Sequence, residues 1–221
     1  MKNKRQRMLM LWVLGWLVCI SLNIQAQNIR PVSQEEQQEM TAQIESASQK
    51  MTTLICDFEQ VKTLSILNEQ MVSTGKMYYR NDHCLRWEYR SPYQYTFLLN
   101  KNTILMQTEN SRNILDVKAS RFFQEIVKIM MNSIHGGGLT DLKSFDARYY
   151  KQEKETLWEV HLFPVQKDMK QMFSTIRLIF NAKNYTVEQV EMNERSGDTT
   201  LIRLSGKQIN VPIEDDTFHI H

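Results

Sequence analysis

The sequence predicts a mainly β (α+β) fold: a long, strongly curved antiparallel sheet of about eleven strands whose apolar concave face is covered by helices. Three observations carry this expectation. From Leu54 onward, segments rich in β-branched and aromatic residues alternate apolar and polar positions with a period of two. The links between them carry turn chemistry and are too short for parallel crossovers, which need a dozen or more residues. Two stretches of helical periodicity, one before the strands and one among them, supply the covers.

Ahead of the domain, Lys2, Lys4, Arg5 and Arg7 precede an apolar run from Met8 to Ile20, and a small-residue exit follows at Ala26. That run is shorter than the ~20 apolar residues that span a bilayer, so residues 1–26 read as a cleaved signal peptide. Cys19 follows bulky Leu17 and Val18, which argues against a lipid-attachment signal. Cleavage removes four of the 27 basic residues and none of the 25 acids, moving the formal charge from +2 to −2. No clustered Lys/Arg patch remains to displace counterions from a nucleic acid, so no nucleic-acid partner is expected. The remaining residues, 27–221, suffice for one large domain.

Ser33 followed by Glu36 is a capping-box pattern, and Met40, Ile44, Ala47 and Met51 then recur on one face of an expected helix over residues 34–51. Strands are expected near 54–62, 71–80, 84–90, 94–100, 103–108, 112–117, 148–153, 157–163, 173–181, 185–193 and 199–210. Arg80-Asn81-Asp82, Ser91-Pro92 and Asn100-Lys101-Asn102 are typical of the breaks. Between the sixth and seventh strands, Phe122, Phe123, Ile126, Ile129 and Met130 space a second helix over 119–134, stopped by Gly136-Gly137-Gly138, with a short helical turn expected at 139–145. Leu85, Trp87 and Tyr89 share one face of their strand while Arg86, Glu88 and Arg90 share the other. Trp158, Val160 and Leu162 likewise oppose Glu159 and His161. A twisted sheet with one apolar face curls and needs that face covered.

No catalytic set can be assembled. None of His83, His135, His161, His219 and His221 lies in an H-E-x-x-H or H-x-E setting, His219 with His221 reads as a solvated tail before a weak metal site, no Ser sits in a nucleophile elbow, and Asp57 with Glu59 reads as a solvent-facing pair opposite Phe58. The triple glycine follows a helix, so it reads as a terminator or hinge and not as a phosphate loop. No enzyme activity, metal or cofactor is expected. Cys56 and Cys84 fall in strands, where a bridge or two buried thiols both fit. Ten methionines follow the signal, among them Met40, Met51, Met71, Met77, Met130 and Met131. They suit either a gap-filling core or an adaptable apolar lining.

The segment Leu54 to Gln60 ending Phe58-Glu59-Gln60, Gly75 opening a strand, the run Leu85-Arg86-Trp87-Glu88-Tyr89-Arg90-Ser91-Pro92, Leu162-Phe163-Pro164 and Pro212 to Phe218 occur in an order that resembles the LolA-like periplasmic outer-membrane lipoprotein carriers. The resemblance runs through essentially the whole mature chain. It implies an eleven-stranded half-barrel lidded by helices, and a monomeric periplasmic carrier of acylated lipoproteins. Its implied partners are an inner-membrane lipoprotein-releasing transporter and an outer-membrane acceptor. On this reading Met77, Leu85, Trp87, Phe97, Leu99 and Leu178 line the sheet, and Met40, Ile44, Phe122 and Ile126 line the lid. The family's lid-latching arginine aligns with Asn81, which leaves Arg80 as the candidate latch, although a one-residue shift on a strand reverses the face. The same fold with another envelope lipid as cargo, such as a glycolipid or pigment lipid, is the alternative. A hydrolase or a purely structural envelope protein has less support.

Overall fold

A computed structural model describes residues 29–119, 121–136, 138, 144–152 and 156–219, and the side chains of residues 121–123, 125, 126 and 133 lie outside that description. The expected signal peptide and most of the expected turn at 139–145 also lie outside it.

The chain forms β1 (Ile29–Pro31), α1 (Gln34–Lys50), β2 (Thr53–Leu64), β3 (Glu69–Arg80), β4 (Cys84–Ser91), β5 (Tyr95–Asn100), β6 (Thr103–Thr108) and β7 (Arg112–Asp116). It continues through α2 (Arg121–His135), β8 (Phe145–Gln152), β9 (Leu157–Pro164), α3 (Lys167–Met172), β10 (Phe173–Asn181), β11 (Val187–Glu194) and β12 (Thr199–Ile209). The expected strands are all present, with ends shifted by at most a few residues. Among the strands and α-helices of the described residues, the sequence does not anticipate β1, three residues long, or α3, six residues long. Both are too short to show a period. The expected turn before 148 is corrected at its end, because Phe145 opens β8.

The twelve strands among the described residues form one antiparallel sheet in the order β1-β8-β9-β10-β11-β12-β2-β3-β4-β5-β6-β7. Two meanders, β2–β7 and β8–β12, are joined where the last strand pairs with the first long one, Phe58 facing Leu204. The sheet stays open, with β1 and β7 as its edges. α2, which lies in sequence between β7 at one edge and β8 beside the other, packs over the concave side.

The first helix is anchored through one carboxylate. Ser33 Oγ accepts from the Glu36 N–H at 3.2 Å and Glu36 Oε2 accepts from the Ser33 N–H at 3.0 Å, completing the capping box. The same carboxylate takes a bidentate pair from Arg30 at 2.8 and 2.9 Å and Lys151 at 3.1 Å, tying α1 to β1 and β8. These donors, Arg30 foremost, hold the Glu36 carboxyl well below the usual range. At the other end Asn210 closes the helix, its Nδ2 donating to the Lys50 carbonyl at 2.9 Å. The inward face buries Met40 and Ile44 completely.

The second helix ends at Gly136, whose N–H donates to the Asn132 carbonyl at 2.7 Å and whose φ is +78°. A Cβ here would lie 2.6 Å from the Phe180 ring, so glycine is needed both for the turn and for the close approach. The triple glycine therefore begins with a helix stop. No helix among the described residues is long and apolar enough to cross a membrane.

The convex side is less uniformly wet than the alternation implied. A second small core of Cys84, Leu98, Leu105 and Phe218, with Tyr78 and Ile213 beside it, forms where the C-terminal segment lies across β3–β6. Asn100 Nδ2 fastens that segment by donating to the Phe218 carbonyl at 2.9 Å. Glu159 is also fully buried on this side, enclosed by His161, Arg177 and Gln152 at 2.8, 2.9 and 3.2 Å.

Candidate functional site

Inward-facing residues of the curled sheet and the underside of α2 enclose a cavity of about 320 Å³. Its sheet wall comprises Gln60 from β2, Trp87 and Tyr89 from β4, Tyr95 and Phe97 from β5, Phe173 and Ile176 from β10, Val190 and Met192 from β11, and Ile202 and Leu204 from β12. Its roof is Ile129, Met130 and Ile134 of α2. Among the described residues of this lining Gln60 is the one without an aliphatic or aromatic end, and none is charged. Such a lining rewards entry of hydrocarbon and offers an ion no compensation for lost water.

An aromatic cluster gives one wall its shape. Gly75 pairs with Phe58 on one side and Tyr89 on the other, and any Cβ there would stand 2.7 Å from the Phe58 ring and 1.8 Å from the Glu88 carbonyl oxygen. With no side chain in the way, Phe58 lies over the strand and packs 4.9 Å from Trp87 and 5.0 Å, edge-on, from Tyr89. Tyr89 in turn lies 5.6 Å from Tyr95. The Tyr89 hydroxyl donates to Gln60 Oε1 at 2.8 Å, and burial, with Tyr95 nearby, pushes its pKa up to about 12, so it stays neutral. Trp87 Nε1 is buried and, among the described residues, has no hydrogen-bond partner.

The expected lining residues divide into two groups. Trp87 and Phe97 stand on the cavity wall. Met77, Leu85, Leu99 and Leu178 share the concave face but are fully buried in the packed core with Met40 and Ile44 of α1. The concave surface is thus filled solid where α1 docks and hollow toward the Gln60, Tyr89 and Tyr95 end. Phe122 and Ile126 belong to α2, but their side chains lie outside the description.

The candidate latch points the other way. Arg80 turns to the convex side, where it pairs with Asp82 and Asp215 and stacks 4.8 Å from the centre of the Phe218 ring. Asn81, in the aligned position, is engaged through its backbone N–H with the Thr52 carbonyl at 3.0 Å. The contact between helices is made elsewhere: Ser48 Oγ of α1 lies 2.6 Å from His135 Nδ1 at the end of α2, with the imidazole 5.6 Å from the Tyr79 ring. Burial lowers the His135 pKa.

Cys56 and Cys84 are free and buried on opposite faces, Cys56 in the concave core and Cys84 in the convex one. Burial pushes the Cys56 thiol up to about 12, which leaves it inert.

Residues 49–221 match the family described as outer membrane lipoprotein carrier protein LolA. No curated protein matches the sequence. Among solved structures, MucB aligns with a TM-score of 0.51 and 10% identity over 87% of this chain and 65% of that one. A DUF1329 family protein from Desulfovibrio piger aligns at 0.49 and 9% identity over 84% and 96%. Lipoprotein LppX from Mycobacterium tuberculosis aligns at 0.47 and 9% identity over 82% and 99%. These likenesses concern the fold; the family match covers most of the chain, and the protein belongs to the LolA family of outer membrane lipoprotein carriers.

Proposed function

We propose that this protein is a periplasmic carrier that holds the acyl chains of lipoproteins in its cavity and moves them from the inner to the outer membrane. Residues 1–26 direct export and are removed, and residues 27–221 work as one domain. A releasing transporter in the inner membrane supplies the cargo and an outer-membrane acceptor takes it. Binding and release are the whole task, with no covalent step.

The observation that carries this reading is the cavity between the sheet and α2, whose described lining is apolar apart from Gln60 and the tyrosine hydroxyls. Each methylene of an acyl chain gains ~0.8 kcal/mol on leaving water, so a lipid anchor crosses an aqueous space only within an apolar enclosure. At about 320 Å³ the cavity is near the small end of the roughly 300–1,000 Å³ typical of ligand sites, so a multi-chain anchor requires α2 to lift. The thioether groups of Met130 and Met192, on roof and floor, can re-pack around chains of different length.

The test is displacement. Purified protein should take up a hydrophobic fluorescent probe at one site and release it on addition of a synthetic triacylated lipopeptide. Failure to take up the probe would overturn the carrier reading. Release by a glycolipid but not by the lipopeptide would replace the cargo and keep the carrier.

A further inference from the structure

We propose that the ligand of this cavity presents a carbonyl oxygen, from an ester or amide linkage, to the indole N–H of Trp87. The inference rests on the reading of the cavity as an acyl-chain site and specifies the chemistry at one point of its wall.

Trp87 is 7% exposed, and its Nε1 is shielded from solvent and lacks an acceptor among the described residues. Indole N–H can only donate, and a buried donor left unmade costs about 1–3 kcal/mol. The neighbouring polar groups are already matched, since the Tyr89 hydroxyl donates to Gln60 Oε1 at 2.8 Å. The nitrogen itself has no surface open to bulk solvent. An acceptor therefore has to arrive with a guest that displaces the apolar side chains around the nitrogen.

The surroundings restrict what that acceptor is. The ring is held between Phe58 at 4.9 Å and its cross-strand partners Met77 and Phe97, and none of the described residues lining the cavity is a cation. A phosphate or carboxylate would be desolvated there without a counter-charge. A neutral carbonyl makes the missing bond at small desolvation cost. In an acylated molecule that carbonyl sits where the hydrocarbon begins, so the bond would fix how far the chains are inserted. Trp87 is then a depth-setting residue, and the protein discriminates acyl-linked chains from plain hydrocarbon.

The test compares a phospholipid bearing two ester-linked chains with its ether-linked analogue of the same length, using the Trp87 indole resonance and probe displacement on the intact protein. The ester lipid should bind about fivefold more tightly, equivalent to about 1 kcal/mol, and should move the Trp87 indole proton downfield where the ether lipid does not. In Trp87→Phe, the ester-to-ether ratio should fall to about one while both lipids still bind. If that variant does not fold, the resonance in the unmodified protein decides alone. Equal binding of both lipids with no difference at Trp87 would overturn the inference and leave the carrier reading intact. Binding of neither would overturn both. A triacylated lipopeptide that competes for the same resonance at lower concentration than the ester phospholipid would identify lipoprotein as the carbonyl source, and the reverse order free phospholipid; either carries the assignment.

Discussion

Ser48 Oγ and His135 Nδ1 lie 2.6 Å apart, joining the helix packed into the filled end of the sheet to the helix that roofs the hollow end. The imidazole is largely buried and its pKa is lowered from the ordinary value of 6.5 chiefly by that burial. A folded-state pKa below the unfolded one means that the folded protein binds fewer protons as pH falls through this range. The contribution of neutral His135 is therefore fully present above pH 6.5 and is lost as pH falls through the folded value. The protection factors of the α2 amides, with the pH dependence of intrinsic exchange divided out, should fall on acidification across this window, so that hydrogen exchange is faster than the intrinsic chemistry alone gives. Ser48→Ala, which removes about 1 kcal/mol of hydrogen bond, should accelerate it about fivefold at pH 7.5. Unchanged exchange in both experiments would show that the contact does not restrain α2.

Gly136 and Gly206 both have positive φ, +78° and +59°, yet their neighbours differ. A Cβ at Gly136 meets the Phe180 ring at 2.6 Å in the core, whereas one at Gly206 meets the exposed Asp57 carboxylate at 3.1 Å. Urea unfolding should show Gly136→Ala losing about 3 kcal/mol and Gly206→Ala about 1 kcal/mol. Equal losses would mean that φ alone sets the cost.

Glu159 is fully buried on the convex side. Burial opposes its ionisation, but the bonds from His161, Arg177 and Gln152 prevail and bring its pKa down to about 2. Its stabilising contribution is present above the unfolded value of 4.5 and disappears as pH falls toward 2. Glu159→Ala should destabilise by about 3 kcal/mol at neutral pH, because Arg177 and His161 lose a buried partner, and should flatten the acid limb of the stability curve. An unaltered acid limb would contradict this assignment.

The division of the concave face into filled and hollow ends predicts a split between stability and binding. Leu99→Ala, in the packed end, should cost about 3 kcal/mol and leave probe affinity within twofold. Val190→Phe, in the cavity wall, should retain most of the stability and weaken probe binding at least tenfold. Denaturant curves and probe titrations of the two variants check this, and a reversed pattern would refute it.

Much of this architecture was legible in the sequence because a period of two assigns faces without reference to the rest of the molecule. The alternation puts Leu85, Trp87 and Tyr89 together on the apolar face, and in the structure they face inward. What alternation cannot supply is position along the strand axis relative to a helix that docks from elsewhere. Leu85 and Tyr89 lie on the same face, four residues apart, yet the first is core under the reach of α1 and the second is cavity wall. That difference depends on where Met40 and Ile44 land, a tertiary fact. The same limit applies to Arg80: the face reversal expected from a one-residue shift sends it to Asp215 and Phe218, while the helix-to-helix contact falls to Ser48 and His135, which no local pattern connects. The alternation puts Glu159 on the polar face, but the ring of partners that removes it from water comes from three other strand positions.

The most direct test of acyl-chain binding is photo-crosslinking with a triacylated lipopeptide carrying a diazirine midway along one chain, followed by mass spectrometry of the adducts. Adducts should map to the cavity lining, at positions such as Phe97, Met130, Met192 and Ile202. Adducts confined to the exposed apolar hairpin tip at Ile66 and Leu67, with none in the lining, would contradict carriage of acyl chains inside the half-barrel.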